Sequence, residues 1–256
     1  MLGHSRLARH LCFGVALLAA GCGGKSSSST SASASSSTTQ AASFDFGSND
    51  PRKVVAFGDS ITFGVLELRR RGLGLNTSNN YPNLLQAKLK RLDSAWQVIN
   101  EGKPGEHSFE GAARIGDVLR SDKPGYILIM EGANDAQQCD DTATLVNSLL
   151  SMVRSAKANK TIPIIGTITP SFRNNPCASD TIDDANAGIR GMAAAQNVVL
   201  AEIFNGMNQR ELFGQSPDRD PLHPNDQGYA VMADIWYNAL LQAIPGGVAV
   251  ALRRGR

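Results

Sequence analysis

Cysteine is scarce in this sequence, and so is charge of either sign. Four cysteines in 256 residues are too few for a disulfide scaffold, and no Cys-x-x-Cys metal pair occurs. No metal and no cofactor is expected. Charged residues make up 19% of the chain, below the usual level of about 25%. The 25 Lys and Arg exceed the 23 Asp and Glu only through Arg6 and Arg9, which lie in a segment expected to be removed. The remainder balances, so a nucleic-acid partner has no electrostatic footprint. There is no internal repeat, no Gly-x-Ser-x-Gly elbow, and neither the Rossmann nor the P-loop spacing. The apolar run over residues 11–20 would form a helix of about 15 Å, half of a bilayer core. What is present, 42% apolar residues, suits one α/β domain with a real core plus extensions.

The extensions come first. His4, Arg6 and Arg9 precede the run over residues 11–20, the layout of a secretory signal peptide. The run ends Leu18-Ala19-Ala20-Gly21-Cys22, which resembles a bacterial lipobox with Ala19 where Leu is preferred. That resemblance implies cleavage after residue 21 and a lipid on Cys22; ordinary secretion with cleavage after a small residue is the alternative. Residues 22–50 are rich in Ser, Thr and Ala and cannot bury enough apolar surface to offset the entropy of ordering. They are expected to be a flexible tether with a reach of roughly 25–30 Å. Gly23 after the cysteine favours the outer membrane in a Gram-negative cell. The domain is expected over residues 51–245, and residues 246–256 form a tail of no evident role.

Inside the domain, apolar runs alternate with helical periodicity. Strands are expected at Lys53 to Phe57, Trp96 to Asn100, Tyr126 to Met130, Ile162 to Gly166 and Val198 to Ala201. Helices are expected from Tyr81, over residues 108–120, around Leu145 to Val153, over residues 183–196, and through Tyr229, Met232, Trp236, Leu240 and Ala243. This order argues for a single parallel sheet covered by helices on both faces. Residues 63–80, with Arg69-Arg70-Arg71, form an unusually long connection.

The first three strands each end in a polar turn: Gly58-Asp59-Ser60, Asn100-x-Gly102-x-x-Gly105 and Gly132-x-Asn134-Asp135. Each has a bland reading, since Asp and Ser cap helices and Gly and Asn populate turns. Asp220-Pro221-Leu222-His223 stands before the last helix, where a capped turn is again the bland reading. Together they offer a nucleophile, a base, a carboxylate and amide donors at the carboxyl edge of one sheet, where open α/β folds bind ligands.

These four blocks, in this order, resemble those of the SGNH (GDSL) hydrolases over most of the domain. The resemblance implies a flavodoxin-like, three-layer α/β fold with five parallel strands in the order 2-1-3-4-5. It implies Ser60 as nucleophile, His223 as general base and Asp220 as its orienting carboxylate. The oxyanion would be held by the N–H groups of Ser60 and Gly102 and the side-chain amide of Asn134. Pro221 departs from the Gly common in the family, and the long 63–80 segment leaves the pocket shape open. The expected function is a surface-tethered serine esterase acting through an acyl-enzyme, of arylesterase, lysophospholipase or carbohydrate deacetylase type. The alternative is a binding module that kept the fold and lost catalysis. Expected partners are a small-molecule, lipid or carbohydrate ester and the membrane, through Cys22; the chain is expected to be a monomer. Cys12 would leave with the signal peptide, and Cys139 and Cys177, in loops after adjacent strands, could form a disulfide beside the site mouth.

Overall fold

The computed structural model describes residues 44–68, 72–75, 78–214 and 221–246, all within a unit that spans residues 41–256. The signal peptide, Cys22, most of the tether, Asp220 and residues 247–256 lie outside the described residues.

Strand β1 (Asp50–Gly58) is the axis of the sheet, and its Val54, Val55, Ala56 and Phe57 are fully buried. Burial on both faces is what a continuous apolar run in a parallel sheet requires. After the short helix α1 (Ser60–Phe63) come β2 (Val65–Leu68), β3 (Gly72–Leu75), α2 (Tyr81–Leu92), β4 (Gln97–Gly102) and α3 (Ser108–Asp122). Then follow β5 (Pro124–Met130), α4 (Ala133–Gln138), α5 (Thr142–Ala158), β6 (Ile162–Gly166) and α6 (Pro176–Gln196). The chain continues with β7 (Val199–Ala201), α7 (Ile203–Met207), a 3-10 turn at Arg210–Leu212 and α8 (Asp226–Ala243).

The main sheet has five strands in the order β4-β1-β5-β6-β7, every pair parallel. Among themselves these strands run 2-1-3-4-5, as expected. The chain moves outward from β1 to β4 and then reverses across β1 to β5. Right-handed crossovers therefore place α2 on one face and α3, α5 and α6 on the other. Helix α8 joins α2, where the rings of Trp236 and Tyr81 stack with centroids 6.0 Å apart. The reversal leaves a crevice between the carboxyl ends of β1 and β5.

Three local expectations change. The connection over residues 63–80 is not all loop, because β2 and β3 pair in it as an antiparallel hairpin. Helix α6 starts at Pro176, ahead of residue 183, since the Asn175 side chain caps it by accepting from Ala178 N–H and Pro176 suits its first turn. Residues 44–50, expected within the tether, belong to the folded unit. The Phe46 ring lies 5.6 Å from that of Tyr126. The Asn49 side-chain amide donates to the carbonyls of Asn159 at 2.7 Å and Lys160 at 3.1 Å.

This boundary is testable by truncation. Removing residues 1–43 is expected to leave the urea midpoint unchanged, while removing residues 1–49 lowers stability by about 2–4 kcal/mol, from lost apolar burial and orphaned carbonyls. Equal midpoints for the two truncations would return residues 44–49 to the tether.

Candidate active site

The turn at the end of β1 is a helix cap that sets Ser60 beside the histidine. Asp59 is the cap of α1, its carboxylate accepting from Ile61 N–H at 2.8 Å, and Ser60 is the first helical residue. Ser60 Oγ lies 2.9 Å from His223 Nε2, a contact between residues 163 positions apart in the chain. Ser60 is 8% exposed and His223 5%.

The His223 loop is held on both sides. Asn225 caps α8 by accepting from Gly228 N–H at 3.0 Å, and its own amide donates to the carbonyls of Glu211 at 2.6 Å and Phe213 at 3.0 Å. Gly214 N–H donates to His223 C=O at 3.3 Å. The capped turn expected before the last helix is present, and Asn225 is its cap.

The remaining turns converge on the same edge. Lys103 N–H donates to Gly58 C=O at 2.8 Å, tying the β4 turn to the β1 turn. Asn134 Nδ2 donates to Glu106 C=O at 2.8 Å, while the Asp135 carboxylate accepts from Ser108 N–H and Oγ. The two glycines of the β4 turn separate here. Gly102 N–H donates to Asn100 Oδ1 at 2.9 Å, and a Cβ at Gly102 would strike the Thr62–Phe63 backbone. Gly102 thus serves close packing of β4 on α1, and its N–H is already engaged. Gly105 has φ +79°, open space where a Cβ would stand, and an N–H that donates to no acceptor among the described residues. Its place in the Asn-x-Gly-x-x-Gly block was the available signal.

Cys139 and Cys177 are joined as a disulfide, with Cα atoms 5.9 Å apart, linking the end of α4 to the start of α6. Gln137 bridges the same two regions, donating to Ser171 Oγ at 3.2 Å and accepting from Arg173 Nη1 at 3.2 Å. His107, Asp135 and Asp140 bring one ligand-type atom each within 4.8 Å of one another, a set that could hold a metal ion. With Asp135 already accepting from Ser108 and His107 Nδ1 3.0 Å from Asp140 Oδ2, the set first of all braces the α3 turn.

Burial sets the electrostatics. It raises the Asp59 carboxyl to about 7, against the lowering effect of the Ile61 N–H. Together with the nearby Arg173 cation, it lowers the His223 imidazole to about 4. A buried neutral imidazole against a serine hydroxyl is set up to take a proton.

A parallel 2-1-3-4-5 sheet with a serine and a histidine in contact at its switch point is a flavodoxin-like fold carrying a hydrolase-type site. Residues 56–231 match the GDSL-like Lipase/Acylhydrolase family, and the chain belongs to it. Over 105 residues it is 32% identical to Esterase TesA of Pseudomonas aeruginosa, a match covering 41% of this chain and 48% of that protein. The matched stretch thus spans about half of that relative's length. Among solved structures it resembles the lipase/acylhydrolase from Enterococcus faecalis, with a TM-score of 0.63 and 24% identity over 74% of this chain and 95% of that one. It also resembles the M. smegmatis aryl esterase, with a TM-score of 0.63 and 12% identity over 75% and 99% of the two chains.

His223 should titrate low. With its folded value near 4 and an unfolded value of 6.5, the stability tied to the neutral ring is complete above pH 6.5. It is lost as pH falls through the folded value. An NMR titration of the folded protein is expected to show the His223 ring neutral at pH 6; a midpoint at or above 6.5 would contradict this.

Proposed function

We propose that this chain is a serine esterase that hydrolyses carboxylic esters through an acyl-enzyme on Ser60. The observation that carries the proposal is the 2.9 Å contact between Ser60 Oγ and His223 Nε2 at the sheet's switch point. In the first half-reaction His223 takes the Ser60 proton as Oγ attacks the ester carbonyl, then returns a proton to the departing alcohol. In the second, water attacks the acyl group with His223 again as base, and Ser60 is regenerated. Asp220, three residues before His223, is the candidate for orienting the imidazole. The oxyanion is received by Ser60 N–H, the Asn134 amide and, in place of Gly102, the unengaged N–H of Gly105. Asn134 keeps one amide hydrogen for this, since the other goes to Glu106 C=O. The aryl esterase and the esterase among the relatives agree with an ester substrate, and the acyl and alcohol parts are left to experiment.

The apolar run over residues 11–20 and the Leu-Ala-Ala-Gly-Cys sequence favour export, with Cys22 carrying a lipid that anchors the enzyme to the cell envelope. The catalytically inactive alternative draws no support from a site in which nucleophile and base are in contact.

A panel of p-nitrophenyl esters of rising chain length tests the activity. Ser60→Ala and His223→Ala are each expected to lower kcat by orders of magnitude, with the double variant little worse than either. A purified Ser60→Ala protein that keeps a tenth of wild-type kcat would end the proposal.

For Asn134→Ala the expected loss is about 10²–10³ in kcat, with a smaller change in KM. A change confined to KM would assign the amide to ground-state binding.

The rate should also rise with pH as the imidazole loses its proton. Because the folded value lies near 4, kcat/KM is expected to be close to its plateau by pH 6. A profile that falls between pH 5 and 7 would rule out a histidine base.

A further inference from the structure

Glu131 directly follows β5, three residues before Asn134, and the proposed chemistry makes no use of its side chain. It is 1% exposed, and both carboxyl oxygens are buried without a hydrogen bond from any described donor. Helix α3 presses directly on it, since a Cβ at Gly111 would come within 3.3 Å of Glu131 Oε1. The cation nearby is already engaged: Arg114 donates from Nε and Nη2 to the Glu106 carboxylate at 2.9 and 2.6 Å, and from Nη1 to Glu101 Oε2 at 3.2 Å. The group that the Glu131 side chain meets is the carboxyl of Glu106, itself buried.

Two ionised carboxylates can only accept hydrogen bonds, and they repel one another. Their close contact in a buried site therefore calls for a proton on one of them. The Arg114 fork decides which, because it stabilises charge on Glu106 and makes no hydrogen bond to Glu131. Burial pushes the Glu131 carboxyl well above its ordinary value, with Asp59 and Glu106 adding to the rise. Burial acts to raise Glu106 as well, but its hydrogen bonds, chiefly from Arg114, hold it below the ordinary value. Glu106 follows Gly105, and its carbonyl accepts from the Asn134 amide at 2.8 Å.

We infer that Glu131 is a positioning residue whose protonated carboxyl donates to the Glu106 carboxylate, and that this hydrogen bond holds the Gly105–Glu106 turn and the Asn134 amide where the oxyanion forms. The inference rests on the esterase reading above and adds to it a residue that touches no substrate. Its strength comes from the low-dielectric site, where a satisfied polar network is rigid and an unsatisfied one is costly.

Infrared difference spectroscopy and kinetics test it together. Wild type minus Glu131→Gln at pH 7 is expected to show the carbonyl stretch of a protonated carboxylic acid. Glu131→Gln keeps an amide donor in the same place and is expected to hold kcat within about threefold of wild type. Glu131→Leu has no donor, and kcat is expected to fall about tenfold or more with KM changed by less than about twofold, in protein shown folded by circular dichroism. A missing acid band at pH 7, a fully active Leu variant, or a Gln variant as impaired as Leu would each overturn the inference. If Leu does not fold, the band and the Gln rate decide. Ester turnover surviving Ser60→Ala would instead defeat the esterase reading, and leave the acid band as a separate result.

Discussion

The Asp59 carboxylate is a single buried side chain on which the geometry of the site depends. It accepts from Ile61 N–H at 2.8 Å, and the Ala133 N–H at the start of α4 also favours its charge, so one group responds to both the turn after β1 and the turn after β5. Those are the two turns that flank the reversal of strand order, and they carry Ser60 and Asn134. Burying a carboxylate here is costly, as the rise to about 7 reflects. Two backbone N–H groups at helix starts offset part of that cost. The reading of Asp59 as a helix cap is thus compatible with the proposed role of Ser60, because the cap holds the turn on which the serine stands.

Around this centre the carboxyl edge of the sheet is built from polar side chains that brace one turn against another. Asp135 holds the start of α3, Asn134 holds Glu106 C=O, and Asn225 joins the His223 loop to the segment ending at Phe213. On the far side Gln137 and the Cys139–Cys177 disulfide tie α4 to the start of α6. Helix α4 therefore has constraints at both ends, although it is only six residues long. A helix this short has little stability of its own, so its position is imposed from outside. For the proposed oxyanion stabilisation that rigidity would matter, since donors aimed in advance need not reorganise as charge develops.

Acidic groups dominate the interior of this edge: Asp59, Glu106, Glu131 and Asp135 are all buried. Arg114 is the cation that Glu106 shares with Glu101, and its guanidinium also lies 4.1 Å from the centroid of the Phe57 ring. So few cations among so many carboxyls means that not all of them can be ionised together. The raised values of Asp59 and Glu131 are one consequence, and the proton assigned to Glu131 is another.

The sequence by itself determined the five strands, the parallel alternation, the core face of α8 and the order of the four polar blocks. Continuous apolar runs can be read locally as buried strands, and Trp236, Tyr229 and Met232 recur at the helical period. It also pointed to Ser60, Asn134 and His223, because residue type and position at strand ends are local properties. Only the tertiary structure distinguished Gly102 from Gly105, for the difference lies in which N–H already has an acceptor and which backbone lies against α1. The same holds for Asn49, whose partners stand more than a hundred residues away, and for Glu131, which is one more carboxylate in a turn until Glu106 and Arg114 close around it. Periodicity reports which residues are buried; it carries no record of which polar atoms meet once they are.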